Sequence, residues 1–217
     1  MSFSAYLAPT LAGYLLGALP FGYLVARAHG VDIFKAGSGN PGATNVKRVL
    51  GARAGNTVFA LDAVKGAVAA GWVGFLTAPD LPDWKLRSLA GLLAAILGHS
   101  FSCFTRFKGG KGVATAAGGL LVLVPAACLL GGLVWVMAFY TTRYVSLGSI
   151  LAAVAVPAAG WLLGYPLPLN LVVTLIGAFV IFRHRDNLRR LRNGTENRFA
   201  RKSSPPATGD RKPDAGG

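Results

Sequence analysis

Charged residues are scarce in this chain, and acidic residues are the scarcest of them. Only 14% of the 217 residues are charged, whereas a soluble domain carries about 25%. Cysteine is rare as well: Cys103 and Cys128 both lie in apolar sequence and lack the paired spacing of a disulfide framework or a zinc site. The composition therefore argues against a soluble domain, and we expect neither a metal nor a cofactor.

Apolar residues are correspondingly abundant in this chain. They make up 53% of the chain, its mean hydropathy is +0.50, and 29 residues are glycine. Long uncharged runs rich in small residues are typical of packed transmembrane helices. We expect an all-α, polytopic membrane domain over 1–200 and a disordered basic tail over 201–217. The predicted spans are 6–26 (kinked at Pro20), 56–76, 86–103, 113–142, a span ending near 163, and 169–182.

The stretch 113–142 is ambiguous by length. One helix would measure roughly 44 Å against a hydrocarbon core of roughly 30 Å, and two helices broken at Pro125 would have only about 14 residues each. Charge decides between them. If this stretch spans twice, the basic segments fall on one side and hold 19 of the 22 Lys and Arg residues. The positive-inside rule then predicts seven spans, two central helices that are short or partly re-entrant, an outer N-terminus and a cytoplasmic C-terminus.

A glycine-rich basic loop precedes that stretch, with the sequence Phe-Lys-Gly-Gly-Lys-Gly-Val-Ala-Thr over 107–115. Glycines allow several N–H groups to approach one ligand, and the next helix points its positive end at the same place. These features favour phosphate binding at the membrane edge. The alternative is a flexible basic connector, and the spacing does not match a P-loop.

The predicted topology brings several polar segments to the cytoplasmic face: 38–48, 108–111, 146–149 and 183–196. His184 and Asn187 share a face if the last helix continues past the membrane. Basic residues that merely anchor helix ends would explain the arginines here. They would not explain the glycine, serine and asparagine beside them, so we expect one anion-binding site.

Two polar features lie within or at the end of predicted spans. Asp62 and Lys65 are three residues apart and can pair on one helix face, either to stabilise packing or for catalysis. His99 ends the third span, and a packing or hydrogen-bonding role is favoured over a role as a base.

Three segments carry a resemblance: 37–45, 107–115, and 184–187 with 193–196. In this order they resemble the cytoplasmic motifs of the bacterial acyl-phosphate:glycerol-3-phosphate acyltransferases, the PlsY family, and the similarity covers about 6–199. The resemblance implies a seven-helix inner-membrane enzyme that makes lysophosphatidate from glycerol 3-phosphate and acyl phosphate. Pro41 and Asp186 depart from the isoleucine and glutamate that are frequent in relatives.

The resemblance also implies site residues. The catalytic set would be Ser38, Arg48, Lys111, His184 and Asn187. The substrate-binding set would be Gly37, Gly39, Asn40, Gly42, Thr44, Asn45, Lys108, Gly109, Gly110, Gly112, Ser146 and Ser149, with Ser149 favoured over Ser146 as the functional serine. The implied partners are the two substrates, membrane lipid and an upstream enzyme that forms acyl phosphate; no nucleic acid is expected.

Direct attack by the glycerol 3-phosphate hydroxyl is the favoured mechanism. The alternative, in which Ser38 is a covalent nucleophile, needs a neighbouring base, and the sequence identifies none. The proton could pass to His184 or to the phosphate of the acyl phosphate. The alternative function is a membrane transporter of an organic phosphate. Such a protein would be expected to carry polar groups near the midplane and an internal repeat, and no repeat is evident.

Overall fold

The protein is all-helical in a computed structural model that describes residues 4–77 and 83–199; the predicted tail, 201–217, lies outside them. Within the described residues the helices are α1 (Ser4–Ala18), α2 (Phe21–Ala28), α3 (Ala43–Leu50), α4 (Ala52–Thr77), α5 (Trp84–Ser100), α6 (Val113–Leu123), α7 (Pro125–Thr142), α8 (Val145–Leu162), α9 (Leu167–Arg183) and α10 (Arg185–Arg192), with a 3₁₀ turn at Cys103–Thr105.

Several of these helices are long and apolar enough to cross a membrane. In the described part of the chain they are Tyr6–Ala28, Trp84–Thr105, Pro125–Thr142 and Val145–Leu162, and α9 with α10 forms a fifth candidate that is bent by 55°. The helices thus have the lengths and composition of a polytopic membrane protein. The count of seven spans and their orientation stay predictions.

The first span breaks where the sequence predicts a kink. Pro20 lies between α1 and α2, and it lacks the N–H group that would continue the helix. The carbonyl of Leu19 accepts a hydrogen bond from Lys65 Nζ at 2.9 Å. A buried cation of α4 therefore satisfies backbone at the break.

The ambiguous stretch 113–142 is two helices, as predicted, and Pro125 begins the second. The prediction that both are short is wrong for α7, whose 18 residues measure about 27 Å. The division falls at Val124 and leaves only 11 residues for α6. Proline is suited to the first helical position, so the break lies at one side of the stretch and not at its middle.

Glycines set the close packing of the helices. A Cβ atom at Gly66 of α4 would lie 1.9 Å from the carbonyl oxygen of Thr115 in α6, and one at Gly17 of α1 would lie 2.1 Å from that of Ala95 in α5. Small residues permit such backbone approach between membrane helices. The main core cluster joins α5 to its neighbours through Leu92, Ile96 and Leu120, among others. The loop between α5 and α6 is thereby held at a fixed position.

The last apolar helix does not continue as predicted. It ends at Arg183, and the chain bends by 55° at His184 before α10. His184 and Asn187 are nevertheless both buried and line the same cavity. The bend at His184, and not a shared face of one continuous helix, brings the two side chains into the cavity.

Candidate active site

A cavity of about 510 Å³ lies where four helices begin. Its lining includes residues at the starts of α3, α6, α8 and α10: Gly42, Gly112, Val145 and His184. The first N–H groups of a helix have no partner within the helix, and its N-terminus carries partial positive charge. The cavity is therefore suited to anions even before side-chain charges are counted.

The loop before α3 is held by its own asparagines. Asn45 Oδ1 accepts the N–H of Ser38 at 2.9 Å, Asn45 Nδ2 donates to Ala36 O at 2.9 Å, and Asn40 Oδ1 accepts the N–H of Gly42 at 2.8 Å. A Cβ at Gly37, whose φ is +59°, would lie 2.3 Å from Asn45 Oδ1. These bonds hold the loop in one conformation, and the N–H groups of Ser38 and Gly42, two of the implied site residues, already have partners.

The lysine–glycine loop divides between two surroundings. Lys111 and Gly112 line the cavity, whereas Lys108 is exposed and lines another groove. Gly110 packs against the His99 ring, where a Cβ would lie 2.1 Å from Nε2, and its carbonyl accepts a hydrogen bond from Arg183 at 2.8 Å. Gly110 therefore does not line the cavity, and its contacts with His99 and Arg183 hold the loop in position.

A hydrogen-bond network joins the second and third polar segments. Lys111 Nζ donates to Asn187 Oδ1. Asn187 Nδ2 donates to Glu196 Oε1 at 2.7 Å, and Ser146 Oγ donates to the same oxygen at 2.8 Å. Arg190 Nε lies 2.7 Å from Glu196 Oε2. One carboxylate therefore orders α10 and the start of α8 around the lysine.

Burial lowers the pKa values of Lys111 and His184, two titratable groups that line the cavity. Burial lowers the pKa of Lys111 to about 8, although the charge of Glu196 opposes the change. Burial, followed by the charge of Lys111, lowers the pKa of His184 to about 4. His184 Nδ1 lies 2.7 Å from the Val180 carbonyl. Because a carbonyl only accepts, Nδ1 carries the hydrogen and Nε2 of the neutral ring is an acceptor.

The two candidate serines differ in their partners. Ser146 donates to Glu196 and so joins the network. Ser149 donates to the carbonyl of Val145 at 2.9 Å, and Trp135 Nε1 lies 3.3 Å from its oxygen. Both line the cavity. Ser146 is hydrogen-bonded to the network that contains Lys111, and Ser149 is not.

The buried pair predicted in α4 is present and reaches the cavity wall. Lys65 Nζ lies 2.8 Å from Asp62 Oδ1, and both side chains are nearly fully buried. His99 Nδ1 lies 3.5 Å from the same oxygen, and Asp62 and His99 both line the cavity. The predicted ion pair is confirmed, and it extends to His99 and through Gly110 to the lysine–glycine loop.

Aromatic side chains form another part of the lining. Trp135 and Phe139 of α7 stack with ring centroids 5.2 Å apart, and Phe199 contacts Phe139 at 6.0 Å. The Arg48 guanidinium lies 5.6 Å from the Phe199 centroid. Phe59 of α4 also lines the cavity and is 52% exposed. The cavity thus combines a cationic end with an apolar wall.

The structure brings together most of the predicted site residues. All five predicted catalytic residues line the cavity, as do these predicted binding residues: Asn40, Gly42, Thr44, Asn45, Gly112, Ser146 and Ser149. Gly37, Gly39, Lys108, Gly109 and Gly110 lie outside the lining. Sequence reasoning missed Glu196 and the aromatic wall. Glu196 is one of two acids, with Asp186, among the basic residues of 183–198, which is a usable signal, whereas aromatics in apolar helices give none.

Comparisons with known proteins agree on one family. The family model described as glycerol-3-phosphate acyltransferase matches residues 7–194. Proteins of that name from Aquifex aeolicus and Geotalea daltonii are 44% and 45% identical to this chain, over 86% and 88% of its length and 95% and 96% of theirs.

Two solved structures have the same fold. Both are crystal structures of PlsY, an integral membrane glycerol 3-phosphate acyltransferase, in its glycerol 3-phosphate form and its lysophosphatidic acid form. Each is 41% identical to this chain, and the TM-scores are 0.84 and 0.81. The matches cover 90% of this chain and 96% and 95% of those chains.

Proposed function

The chain belongs to the glycerol-3-phosphate acyltransferase family, and we propose that it transfers the acyl group of an acyl phosphate to glycerol 3-phosphate. It is an acyltransferase of phospholipid synthesis, and its product is lysophosphatidate. The observation that carries the proposed donor is the cavity itself, because four helix N-termini, Arg48 and Lys111 converge there. Such a site is suited to two phosphate groups at once.

Arg48 and Lys111 neutralise the substrate phosphates in this scheme. A guanidinium binds phosphate oxygens in a bidentate manner, whereas an ammonium acts as a point charge. Two anionic substrates repel each other, so holding both in one geometry contributes much of the rate. Ser38, at the turn before α3, supplies a hydroxyl to the same end of the cavity.

Reaction proceeds by direct attack. The glycerol hydroxyl oxygen forms a bond to the acyl carbonyl carbon, the bond from that carbon to the phosphate oxygen breaks, and inorganic phosphate leaves with the electron pair. Helix N–H groups and Lys111 stabilise the negative charge that develops. No covalent acyl-enzyme is required, and no described base lies within hydrogen-bonding distance of Ser38.

The phosphate of the donor accepts the hydroxyl proton in this proposal. His184, whose pKa burial lowers to about 4, is a weak base, whereas the donor's phosphate gains basicity as its bond to the acyl carbon breaks. His184 Nε2, fixed by the hydrogen bond from Nδ1 to the Val180 carbonyl, accepts a hydrogen bond from the second hydroxyl of glycerol 3-phosphate and so orients the attacking one. His184 is thus assigned to orientation.

The acyl chain lies along the aromatic wall of Phe59, Trp135 and Phe139. Phe59 lines the cavity from α4 and is half exposed, so it marks an opening of the cavity at this helix. A chain that enters beside it stays in apolar surroundings while its phosphate end reaches Lys111. This arrangement explains why cationic and aromatic linings occur in one cavity.

We also propose a seven-span protein of the bacterial inner membrane, with the active site at the cytoplasmic face and an upstream enzyme that supplies acyl phosphate. The basic residues of 27–53, 106–111 and the segment after 183 support this orientation. Lys47→Cys and Arg189→Cys, introduced singly in a Cys103→Ser/Cys128→Ser background, test it, because both positions are exposed. Both should react with an impermeant thiol reagent only from the cytoplasmic side.

The donor is tested by incubating purified protein with glycerol 3-phosphate and either palmitoyl phosphate or palmitoyl-CoA. Lysophosphatidate should form only with palmitoyl phosphate, with release of one inorganic phosphate per product. Equal turnover with palmitoyl-CoA would contradict the proposal. Uptake of labelled glycerol 3-phosphate into vesicles without product would favour the transporter instead.

A further inference from the structure

A second groove lies apart from the candidate active site, where the first and third apolar spans end. It has a volume of about 530 Å³ and is formed by α2 with its following loop and by the chain around the 3₁₀ turn. Arg27, Arg106 and Lys108 line it and are exposed. We call it the basic groove.

The basic groove has a net positive charge. Asp32 is the one acid in its lining among the described residues. Its Oδ1 accepts the N–H of Phe34 at 3.1 Å, and its Oδ2 lies 3.8 Å from Lys35 Nζ. Asp32 is therefore already engaged at the edge of the groove and leaves the charge of Arg106 and Lys108 uncompensated.

The walls of the groove are fixed by internal contacts. Tyr23 and Phe34 have ring centroids 5.8 Å apart, and Arg27 donates to the Tyr23 hydroxyl at 2.7 Å. On the other wall, Arg106 has a φ of +53°, and the Lys108 carbonyl accepts the hydroxyl of Thr105. The cations therefore belong to a shaped surface and not to free chain ends.

The position of the groove indicates the kind of ligand. Tyr6–Ala28 ends in the helix that carries Arg27, and Trp84–Thr105 ends one residue before Arg106. Phe104 and Phe107 are exposed there by 58% and 65%. Exposed aromatics and cations at the ends of apolar spans are typical of the headgroup region.

We propose that the basic groove binds the phosphate of an anionic phospholipid from the surrounding leaflet. Arg27, Arg106 and Lys108 contact the phosphate, and the acyl chains lie against Phe104 and the neighbouring span. The site is separate from the acyl-transfer cavity, since no described residue lines both. The proposal therefore stands or falls independently of the reaction assigned above.

Native mass spectrometry of the purified full chain, titrated in detergent with phosphatidylglycerol or phosphatidylcholine, tests the proposal. The wild type should retain phosphatidylglycerol at least about tenfold more tightly, since each basic residue near an anionic surface contributes about a fivefold factor. The triple variant Arg27→Gln/Arg106→Gln/Lys108→Gln should lose this preference.

A matched control removes the same charge elsewhere. Arg53→Gln/Arg189→Gln/Arg192→Gln removes three exposed cations outside the groove lining and should keep the preference. If the groove variant does not remain monodisperse, Arg106→Gln alone should still weaken phosphatidylglycerol binding about fivefold.

Three results would overturn the proposal. They are equal retention of the two lipids by the wild type, equal loss in groove and control variants, and complete displacement of the lipid by millimolar inorganic phosphate. The last result would show a site for free phosphate.

Discussion

Lys111 Nζ donates a hydrogen bond to Asn187 Oδ1, and this contact joins the loop before α6 to α10 across 76 residues of sequence. Asn187 in turn donates to Glu196 at 2.7 Å. The ammonium is thus held in the cavity by the Asn187 amide oxygen, and Glu196 orients that amide. A substrate phosphate that reaches it exchanges one acceptor for a stronger one.

Removing the charge of Lys111 should weaken catalysis strongly. Hydrogen bonds to charged groups contribute about 1.5–3 kcal/mol, so Lys111→Met should lower kcat/KM about 10- to 150-fold. Lys111→Arg should retain more activity because it keeps the charge. The measurement is steady-state lysophosphatidate formation at varied glycerol 3-phosphate. Unchanged kinetics in Lys111→Met would remove the phosphate-binding assignment.

The alkaline pH profile should depend on Lys111. Its pKa is lowered to about 8, so the free enzyme holds the charge below that pH and loses it above. Consequently kcat/KM should fall above pH 8, while kcat should fall at higher pH because bound phosphates stabilise the ammonium. Lys111→Arg should stay flat to about pH 10, because Arg does not titrate there. Rates are corrected for enzyme-free hydrolysis; identical profiles in both proteins would contradict the assignment.

Substitution of His184 separates orientation from base catalysis. As an orienting acceptor, the side chain should be partly replaced by glutamine, so His184→Gln should lose about tenfold in kcat and His184→Ala more. A general base would lose about 10²–10⁴-fold in both variants. Equal, large losses in kcat would assign the proton to His184.

The two serines should differ in importance. Ser146→Ala removes a donor to Glu196 and should lower kcat/KM about three- to tenfold, the range expected for one hydrogen bond. Ser149→Ala removes a bond to a carbonyl of its own helix and the 3.3 Å contact with Trp135 Nε1, neither of which reaches Lys111, and should have less than about a twofold effect. The reverse order would support Ser149 as the functional serine, which the resemblance favours.

Close helix packing makes Gly66 sensitive to even one methyl group. Gly66→Ala would place a Cβ against Thr115 O, and overpacking of this kind costs about 1–3 kcal/mol. Gly132→Ala is the matched control, because a Cβ there has nothing within 4 Å. Thermal unfolding in detergent should show a lower midpoint for Gly66→Ala alone. Equal midpoints would show that α4 and α6 can separate without cost.

The sequence was sufficient to predict an all-helical membrane protein, the break at Pro20 and the convergence of distant polar segments. Charge asymmetry and motif order carry that information. The sequence could not show which of Lys108 and Lys111 lines the cavity, because a loop has no periodicity that assigns side chains to a face. The positive φ angles at Arg106 and Phe107 direct the chain so that only Lys111 lines the cavity.

The hydrogen bonds of Asn40 and Asn45 were equally hidden from sequence analysis. These amides occupy N–H groups of the loop that a glycine-rich segment would otherwise offer to a ligand. The aromatic wall gave no sequence signal either, because apolar residues on every face of a membrane helix leave no period to follow. Only packing distinguishes Trp135 and Phe139 from aromatics that face lipid.

Four helices begin at one cavity, and their attraction for anions resides in the peptide backbone. No side-chain replacement deletes it, so a variant stripped of both Arg48 and Lys111 would still concentrate phosphorylated molecules at the right place. During divergence of such proteins, cationic side chains could be exchanged one at a time without the pocket ever becoming repulsive to its substrates. The arrangement of the helices, more than any single residue, gives the pocket its preference for anionic ligands.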